Sequence, residues 1–216
     1  MKRDMTDRAA ILRQLWRQRL HTEPLALDGG AGRWVSIWEP GERLLAILSC
    51  LPGGLLTFWL HTGRGHIVIG SAPSSYTAGC QEWRGQRYEG LCRLCSADIA
   101  ADNAALWGAL LACCDHLLGS RGRNDGARFS DGRGATARLQ AAAERMRRAF
   151  ELGYASALLA TPQADASAYL IGVWLLYLRA PERLNTADPL SYRMLADSLM
   201  NEGFWRLVLS EDAQSG

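Results

Sequence analysis

The sequence contains almost no lysine. Of its 24 basic side chains only Lys2 is a lysine, and all the others are arginines. With 22 acidic residues the formal net charge is only +2, which provides no overall field to attract nucleic acid or an anionic membrane. No apolar run approaches the roughly 20 residues of a membrane-spanning helix. The charged start, Met1–Arg8, lacks the apolar segment of a secretory signal. We therefore expect a cytoplasmic protein, and the arginine- and alanine-rich composition favours a bacterial source.

Recognisable cofactor motifs are also missing. The sequence has no glycine-rich phosphate loop of the Gly-x4-Gly-Lys type and no Gly-x-Ser-x-Gly nucleophile turn. The glycine-rich run at 29–32 precedes a predicted strand rather than a helix, which is the wrong context for a dinucleotide-binding loop. The sequence therefore predicts no cofactor and no catalytic residue.

The first half of the chain reads as a helix followed by strands. Residues 6–21 have the apolar spacing of an amphipathic helix. Strand-like runs at 33–38, 43–51, 55–61 and 66–70 are separated by short connections that contain Pro or Gly, and short connections make neighbouring strands antiparallel. Residues 88–96 read as a fifth strand. A helix with a strong apolar stripe is predicted to start at Asp98 or Asp102 and to end at about Leu118.

The second half of the chain reads as helical. Residues 119–134 are rich in Gly, Ser and Asp and read as a flexible linker. Three helices are predicted after it, over about 135–159, 165–178 and 190–209, with prolines between them. The predicted fold is therefore α+β: an N-terminal helix, an antiparallel meander of about five strands, a helix and a three-helix C-terminal region. The predicted domains are 1–118 and 135–216, the latter packing on the first or on a partner.

The cysteines offer one metal-like spacing, Cys92-x2-Cys95 followed by Cys113-x2-His116. Four such side chains can hold Zn²⁺ tetrahedrally. Cys92 and Cys95 fall in a strand-like run, however, where positions three apart point to opposite faces. We therefore predict no metal site and reduced thiols throughout, with the zinc set as the alternative.

Two weaker patterns concern arginine and histidine. Arg13 and Arg17 on the first helix, together with Arg121 and Arg123 in the linker, form a set that can neutralise phosphates. The local excess of charge typical of a nucleic-acid-binding face is missing, so a nucleic-acid-binding regulator is only an alternative. A pocket between the sheet and the helices would make the chain a small-molecule-binding protein or an enzyme. His61, His66 and Cys80 would be the first residues to examine there.

Eight tryptophans give the strongest indication of function. Tryptophan is enriched among the anchors of protein interfaces. Trp34, Trp38 and Trp59 lie in the predicted meander, and Trp16 lies on the first helix. We therefore predict that these four residues bind a protein partner or a second copy of the chain, as a homodimer. The function that follows is a non-enzymatic interaction module: an adaptor, a regulatory subunit or a client chaperone.

The order of the predicted elements, a terminal helix, antiparallel strands and a later helix, is similar to that of small bacterial secretion chaperones. The resemblance implies binding of a single client protein. The slightly basic net charge departs from that family, whose members are usually acidic.

Overall fold

Helices and strands alternate through the first half of the chain, and helices fill the second. The structure, a computed structural model, describes residues 2–23, 38–123, 125–152 and 165–214. The elements in chain order are α1 (Lys2–Arg19), β1 (Leu20–Thr22), α2 (Glu39–Leu48), α3 (Gly53–Thr62), β2 (His66–Gly70), β3 (Ser75–Trp83), β4 (Gln86–Cys95), α4 (Ser96–Ala101), α5 (Ala104–Ser120), α6 (Ala137–Leu152), α7 (Ala166–Arg179), α8 (Pro181–Ala187), α9 (Pro189–Met194), a π-helical turn (Leu195–Leu199) and α10 (Glu202–Gln214). The α+β class is confirmed, with 64% helix and a four-stranded mixed sheet.

The sheet is not the predicted antiparallel meander. Its strand order is β1-β2-β4-β3, and only β3 and β4 are antiparallel. β2 is parallel to both of its neighbours, β1 and β4. Parallel pairing requires a long crossover, and α2 and α3 supply it between β1 and β2. β3 and β4 form a hairpin through Arg84 and Gly85, whose φ angles of 50° and 73° suit a two-residue turn.

Two of the predicted strands are helices. The runs 43–51 and 55–61 lie largely in α2 and α3, and the predicted turn at 39–42 is the first turn of α2, with Pro40 near its start and acidic residues beside it. Short apolar runs fit a buried helix as well as a strand, which explains the error. No single helix in the described ranges is long and apolar enough to cross a membrane; α2 and α3 pass that test only as a pair, bent by 118°.

The other sequence predictions vary in accuracy. The predicted strand 66–70 coincides with β2, and 88–96 falls mainly in β4, whereas β3 was not predicted. The predicted strand 33–38 lies outside the described residues except for Trp38. The predicted last helix, 190–209, is divided into α9, the π-helical turn and α10, and α8 precedes it. The C-terminal region therefore has more helices than the predicted three.

α5 is the central element of the core. It is buried along most of its length, including Asp115 and His116, and it contacts β3, β4, α3, α6 and α7. One cluster of buried apolar side chains extends from Leu15 in α1 to Val208 in α10. The division into two domains joined by a linker stays a prediction. Within 119–134, Phe129 is fully buried and its backbone N–H donates to the carbonyl oxygen of Asp115 at 3.0 Å.

Candidate binding surfaces

An exposed tryptophan pair lies where α1 meets the start of α2. Trp38 immediately precedes α2 and is 54% exposed. Its ring centroid lies 6.2 Å from that of the half-buried Trp16 on α1. Trp16 in turn lies on Gly41, where a Cβ atom would come within 2.4 Å of the indole. A glycine at this position of α2 is therefore what lets Trp16 pack closely beneath Trp38.

The structure separates the other two predicted partner-binding tryptophans from this pair. Trp59 is completely buried in α3, and its indole N–H donates to the carbonyl oxygen of Gly65 at 2.9 Å. Because α3 packs against α1, α5 and α10, Trp59 is a core residue and not a surface anchor. Trp34 lies outside the described residues.

A second cluster occupies the sheet face opposite the main core. Along β2, Ile67 and Ile69 belong to the core cluster, so His66 and Val68 point to the other face. His21 of β1 is paired in register with Val68. The imidazoles of His21 and His66 stack at 28°, and Nε2 of His21 lies 3.0 Å from Nδ1 of His66. Parallel pairing of β1 and β2 thus brings together two histidines that are far apart in sequence.

Aromatic and charged groups surround these imidazoles. Trp83 and Tyr88 come from the β3–β4 hairpin, with ring centroids 5.2 Å from that of His21. Glu23 accepts hydrogen bonds from Trp83 Nε1 at 3.3 Å and from the Arg93 guanidinium at 3.4 Å. We call this group the histidine face; it consists of His21, Glu23, His66, Trp83, Tyr88 and Arg93.

Both imidazoles are neutral at pH 7. Burial lowers the pKa of His66 to about 4, helped by the positive charge of Arg19 and by His21. Burial also lowers the pKa of His21, assisted by Arg19 and Arg84. One neutral imidazole must donate to the other, which leaves one N–H donor and one acceptor among the outer nitrogens. His66 also forms a hydrogen bond with the backbone of Gly63, which opposes the lowering of its pKa.

We expect the buried neutral state of His66 to make stability depend on pH. The unfolded residue has a pKa of 6.5 and the folded residue about 4. Between these values the unfolded state binds a proton that the native state does not, so the free energy of unfolding falls as pH drops from 6.5 towards 4. Because the ring is only half-buried, solvent screening limits the loss to about 1–2 kcal/mol.

Urea denaturation at a series of pH values between 4 and 7 measures this dependence. His66→Gln is expected to flatten the curve, whereas His61→Gln, at an exposed position of α3, is expected to leave it unchanged. Parallel curves for wild type and His66→Gln would contradict the assignment. His61 and Cys80, named beside His66 from the sequence, are both exposed, and the partner of His66 is His21.

Among the described residues, the cysteines and the histidine of the alternative zinc set do not form a metal-binding cluster. Cys92 and Cys113 are fully buried, and burial raises the pKa of both thiols. His116 uses both ring nitrogens: Nδ1 lies 2.5 Å from the Tyr76 hydroxyl and Nε2 lies 2.9 Å from the carbonyl oxygen of Arg123. In the ranges that the structure describes, no three or more His, Cys, Asp or Glu side chains are placed to hold a metal ion.

The predicted arginine set divides into two groups. Arg13 and Arg17 are exposed on α1. Arg121 and Arg123 follow the end of α5 and line a common cavity, where Arg121 also forms an ion pair with Asp212 of α10. The predicted set is therefore two pairs of arginines: Arg13 and Arg17 lie on α1, whereas Arg121 and Arg123 follow α5.

The sequence singles out His66 of the histidine face but not its other members. β1 has only three residues, and the sequence around β3 is polar and interrupted by glycines, where a short helix near 75–80 is the alternative interpretation. The available sequence signal for this strand is the alternation of Ser75 and Thr77 with the less polar Tyr76 and Ala78, together with Gly85 in the turn that follows. A scan against protein-family models and a search of curated proteins found no match to this sequence.

Proposed function

We propose that this protein is a non-enzymatic protein-interaction module whose recognition surface centres on Trp38. The observation that carries the proposal is the exposure of this indole, 54%, on a support formed by Trp16. An indole held in place by a second ring loses little conformational freedom when it is covered, which suits an interface anchor. Adaptors, regulatory subunits and client chaperones all use such anchors.

The charge beside the tryptophan pair defines the kind of partner. Arg13 and Arg17 lie three residues before and one residue after Trp16 on α1, and both are exposed. Neither forms an ion pair with any residue in the described part of the chain. The partner we propose is a protein segment that places an apolar side chain on Trp38 and acidic side chains on these arginines.

A second copy of the chain fits this surface less well. In a two-fold symmetric dimer whose axis passes through α1 beside Trp16, the side chains nearest the axis meet their own counterparts, so Arg13 and Arg17 of the two copies would lie close to one another. Like charges in such an interface are destabilising. A different protein with acidic groups is therefore the favoured occupant.

A peptide library displayed on phage and selected against the wild-type protein tests the proposal. We expect the enriched peptides to combine an apolar residue with Asp or Glu, and Trp38→Ala to weaken their binding at least about tenfold. Leu207→Ala is the matched control, because Leu207 is an apolar side chain of α10 that is 47% exposed. Its binding is expected to equal that of the wild type.

Three results would overturn the proposal. One is the absence of any enriched peptide, and another is binding that Trp38→Ala leaves unchanged. The third is a wild-type dimer, seen by light scattering, that Trp38→Ala converts to a monomer; this result would assign the surface to a second copy.

The sequence-based alternatives each have one supporting observation. The neutral histidine pair has the donor and acceptor needed for acid–base chemistry or for binding a small polar molecule. The arginine-lined cavity at the end of α5 offers guanidinium groups to an anion. Neither observation names a substrate, so the interaction module remains the function that we propose.

A further inference from the structure

The end of α5, the loop that follows it and the start of α6 line an open cavity of about 390 Å³. This volume lies within the range of small-ligand sites. Its charged lining consists of three arginines, Arg121, Arg123 and Arg133, and one carboxylate, Asp125. The remaining lining is polar or small: Ser120, Gln140, two alanines and two glycines. The lining residues that the structure describes include no aromatic side chain on which a nucleobase could stack.

Hydrogen bonds fix the walls of this cavity. α5 ends with Arg121 in the left-handed conformation, at a φ of 57°, and the chain then returns along the helix. Ala135 donates its backbone N–H to the carbonyl oxygen of Leu118 at 2.9 Å. The side-chain amide of Gln140 accepts from the Gly134 N–H at 2.9 Å and donates to the carbonyl oxygen of Gly132 at 2.8 Å. The cavity is therefore formed before any ligand binds.

The arginines of the cavity are not needed to cap α5. Carbonyl oxygens in the last turn of the helix already accept backbone N–H groups, from Arg121 at 2.8 Å, from Gly122 at 3.3 Å and from Ala135. The guanidinium of Arg121 is paired with Asp212, whereas Arg123 and Arg133 are exposed and form no ion pair with a described residue. Two guanidinium groups are thus available to a ligand.

The one acidic residue among the described lining residues, Asp125, is already engaged. One carboxylate oxygen of Asp125 accepts the backbone N–H of Ala127 at 3.1 Å. This hydrogen bond lowers the pKa of Asp125, so the group is ionised but partly satisfied. The positive charge of Arg123 and Arg133 therefore outweighs the negative charge of the carboxylate.

We infer that this cavity binds a compact phosphate-bearing ligand, held by the guanidinium groups of Arg123 and Arg133. Planar guanidinium groups donate paired hydrogen bonds that match the oxygens of a phosphate. The inference does not depend on the surface around Trp38, because the two sites lie on different elements.

A neighbouring cavity of about 350 Å³ provides an internal control. It shares Gln140 with the first cavity, but its charged lining consists of two arginines, Arg147 and Arg148, and two carboxylates, Glu144 and Glu151. Arg147 is also paired with Glu151 at 3.2 Å. Its charges balance, so removal of Arg148 is expected not to affect the binding of an anion in the first cavity.

Titration calorimetry with inorganic pyrophosphate, at constant and low ionic strength, tests the inference. We expect binding that Arg123→Gln and Arg133→Gln each weaken about tenfold, the loss of one charge-assisted contact, and that Arg148→Gln leaves unchanged. Circular dichroism of each variant confirms that it is folded. A parallel titration uses a single-stranded oligonucleotide.

Absence of pyrophosphate binding at millimolar concentration would overturn the inference. Equal weakening by all three variants would also overturn it, because it would indicate a general effect of net charge. A third contrary result is tighter binding of the oligonucleotide that depends on Arg123 and Arg133, which would assign the arginines to a nucleic-acid surface.

Discussion

Replacing Asp115 by alanine is expected to lower the free energy of unfolding by about 3 kcal/mol. This carboxylate is completely buried in α5. It accepts three hydrogen bonds: from the backbone N–H of Ser130 at 2.8 Å, from the Ser130 hydroxyl at 2.8 Å and from the Ser167 hydroxyl at 2.7 Å. Alanine would leave all three donors without their acceptor, and each buried unsatisfied donor costs about 1–3 kcal/mol before relaxation.

The position of these donors explains why the effect extends across the molecule. Ser130 belongs to the segment that follows α5, and Ser167 lies in the first turn of α7. One side chain of α5 therefore holds both a glycine-rich segment and a helix from the second half of the chain. Loss of the carboxylate loosens the docking of both at once.

Asparagine at the same position provides the matched comparison. Burial raises the pKa of Asp115, whereas the hydrogen bonds from Ser167 and Ser130 lower it, so burial disfavours the ionised form. Asp115→Asn removes the ionisable group and retains an acceptor for the Ser130 N–H, while the two hydroxyls can rotate to accept. We expect it to cost about 1 kcal/mol. Urea denaturation followed by tryptophan fluorescence measures both variants, and equal losses would contradict this account.

The same buried carboxylate illustrates what the sequence could not reveal. Gly, Ser and Asp at 119–134 are typical of loops, and composition alone indicates a mobile segment. Nothing in the composition shows that Ser130 donates hydrogen bonds to the carboxylate of Asp115 in α5. The prediction of α5 succeeded for the opposite reason, because its apolar pattern is local and long enough to exclude a strand.

The exposure and the partners of a candidate site residue could be predicted only where they depend on residues nearby in the sequence. Residue type and local pattern place Trp38 and Trp59 at a surface on equal grounds. Packing of α3 against three helices nevertheless buries Trp59, whereas Trp38 is exposed. His21 and His66 meet because a three-residue strand pairs in parallel with a strand far along the chain. Such a contact is decided by tertiary structure, which short-range periodicity does not encode.

Two Gly→Ala substitutions are expected to change stability in opposite directions. Gly54 lies in the first turn of α3, where a Cβ atom would come within 2.1 Å of Cβ and 2.8 Å of Cγ of Trp205 in α10. The atoms in the way are next to the α10 backbone, so the helix itself must shift. We expect Gly54→Ala to lower the free energy of unfolding by about 3 kcal/mol, at the upper end for overpacking.

A second interaction adds to the loss at Gly54. The carboxylate of Glu202, in the first turn of α10, accepts the backbone N–H groups of Gly53 at 2.7 Å and Gly54 at 3.1 Å. It thereby caps the start of α3, and it is also paired with Arg8 of α1 at 2.9 Å. A shift of α10 lengthens these bonds, and loss of a helix cap costs about 1 kcal/mol.

Gly108→Ala is the control, because the same substitution meets no steric obstacle at this position. It lies within α5, and a Cβ atom there would meet nothing within 4 Å. Alanine is about 1 kcal/mol more favourable than glycine in a helix interior, so Gly108→Ala is expected to stabilise the protein by about 0.5–1 kcal/mol. Urea denaturation of both variants decides the matter. If Gly54→Ala proved neutral, α10 would have to dock on α3 differently, and the Glu202 cap would lose its geometric basis.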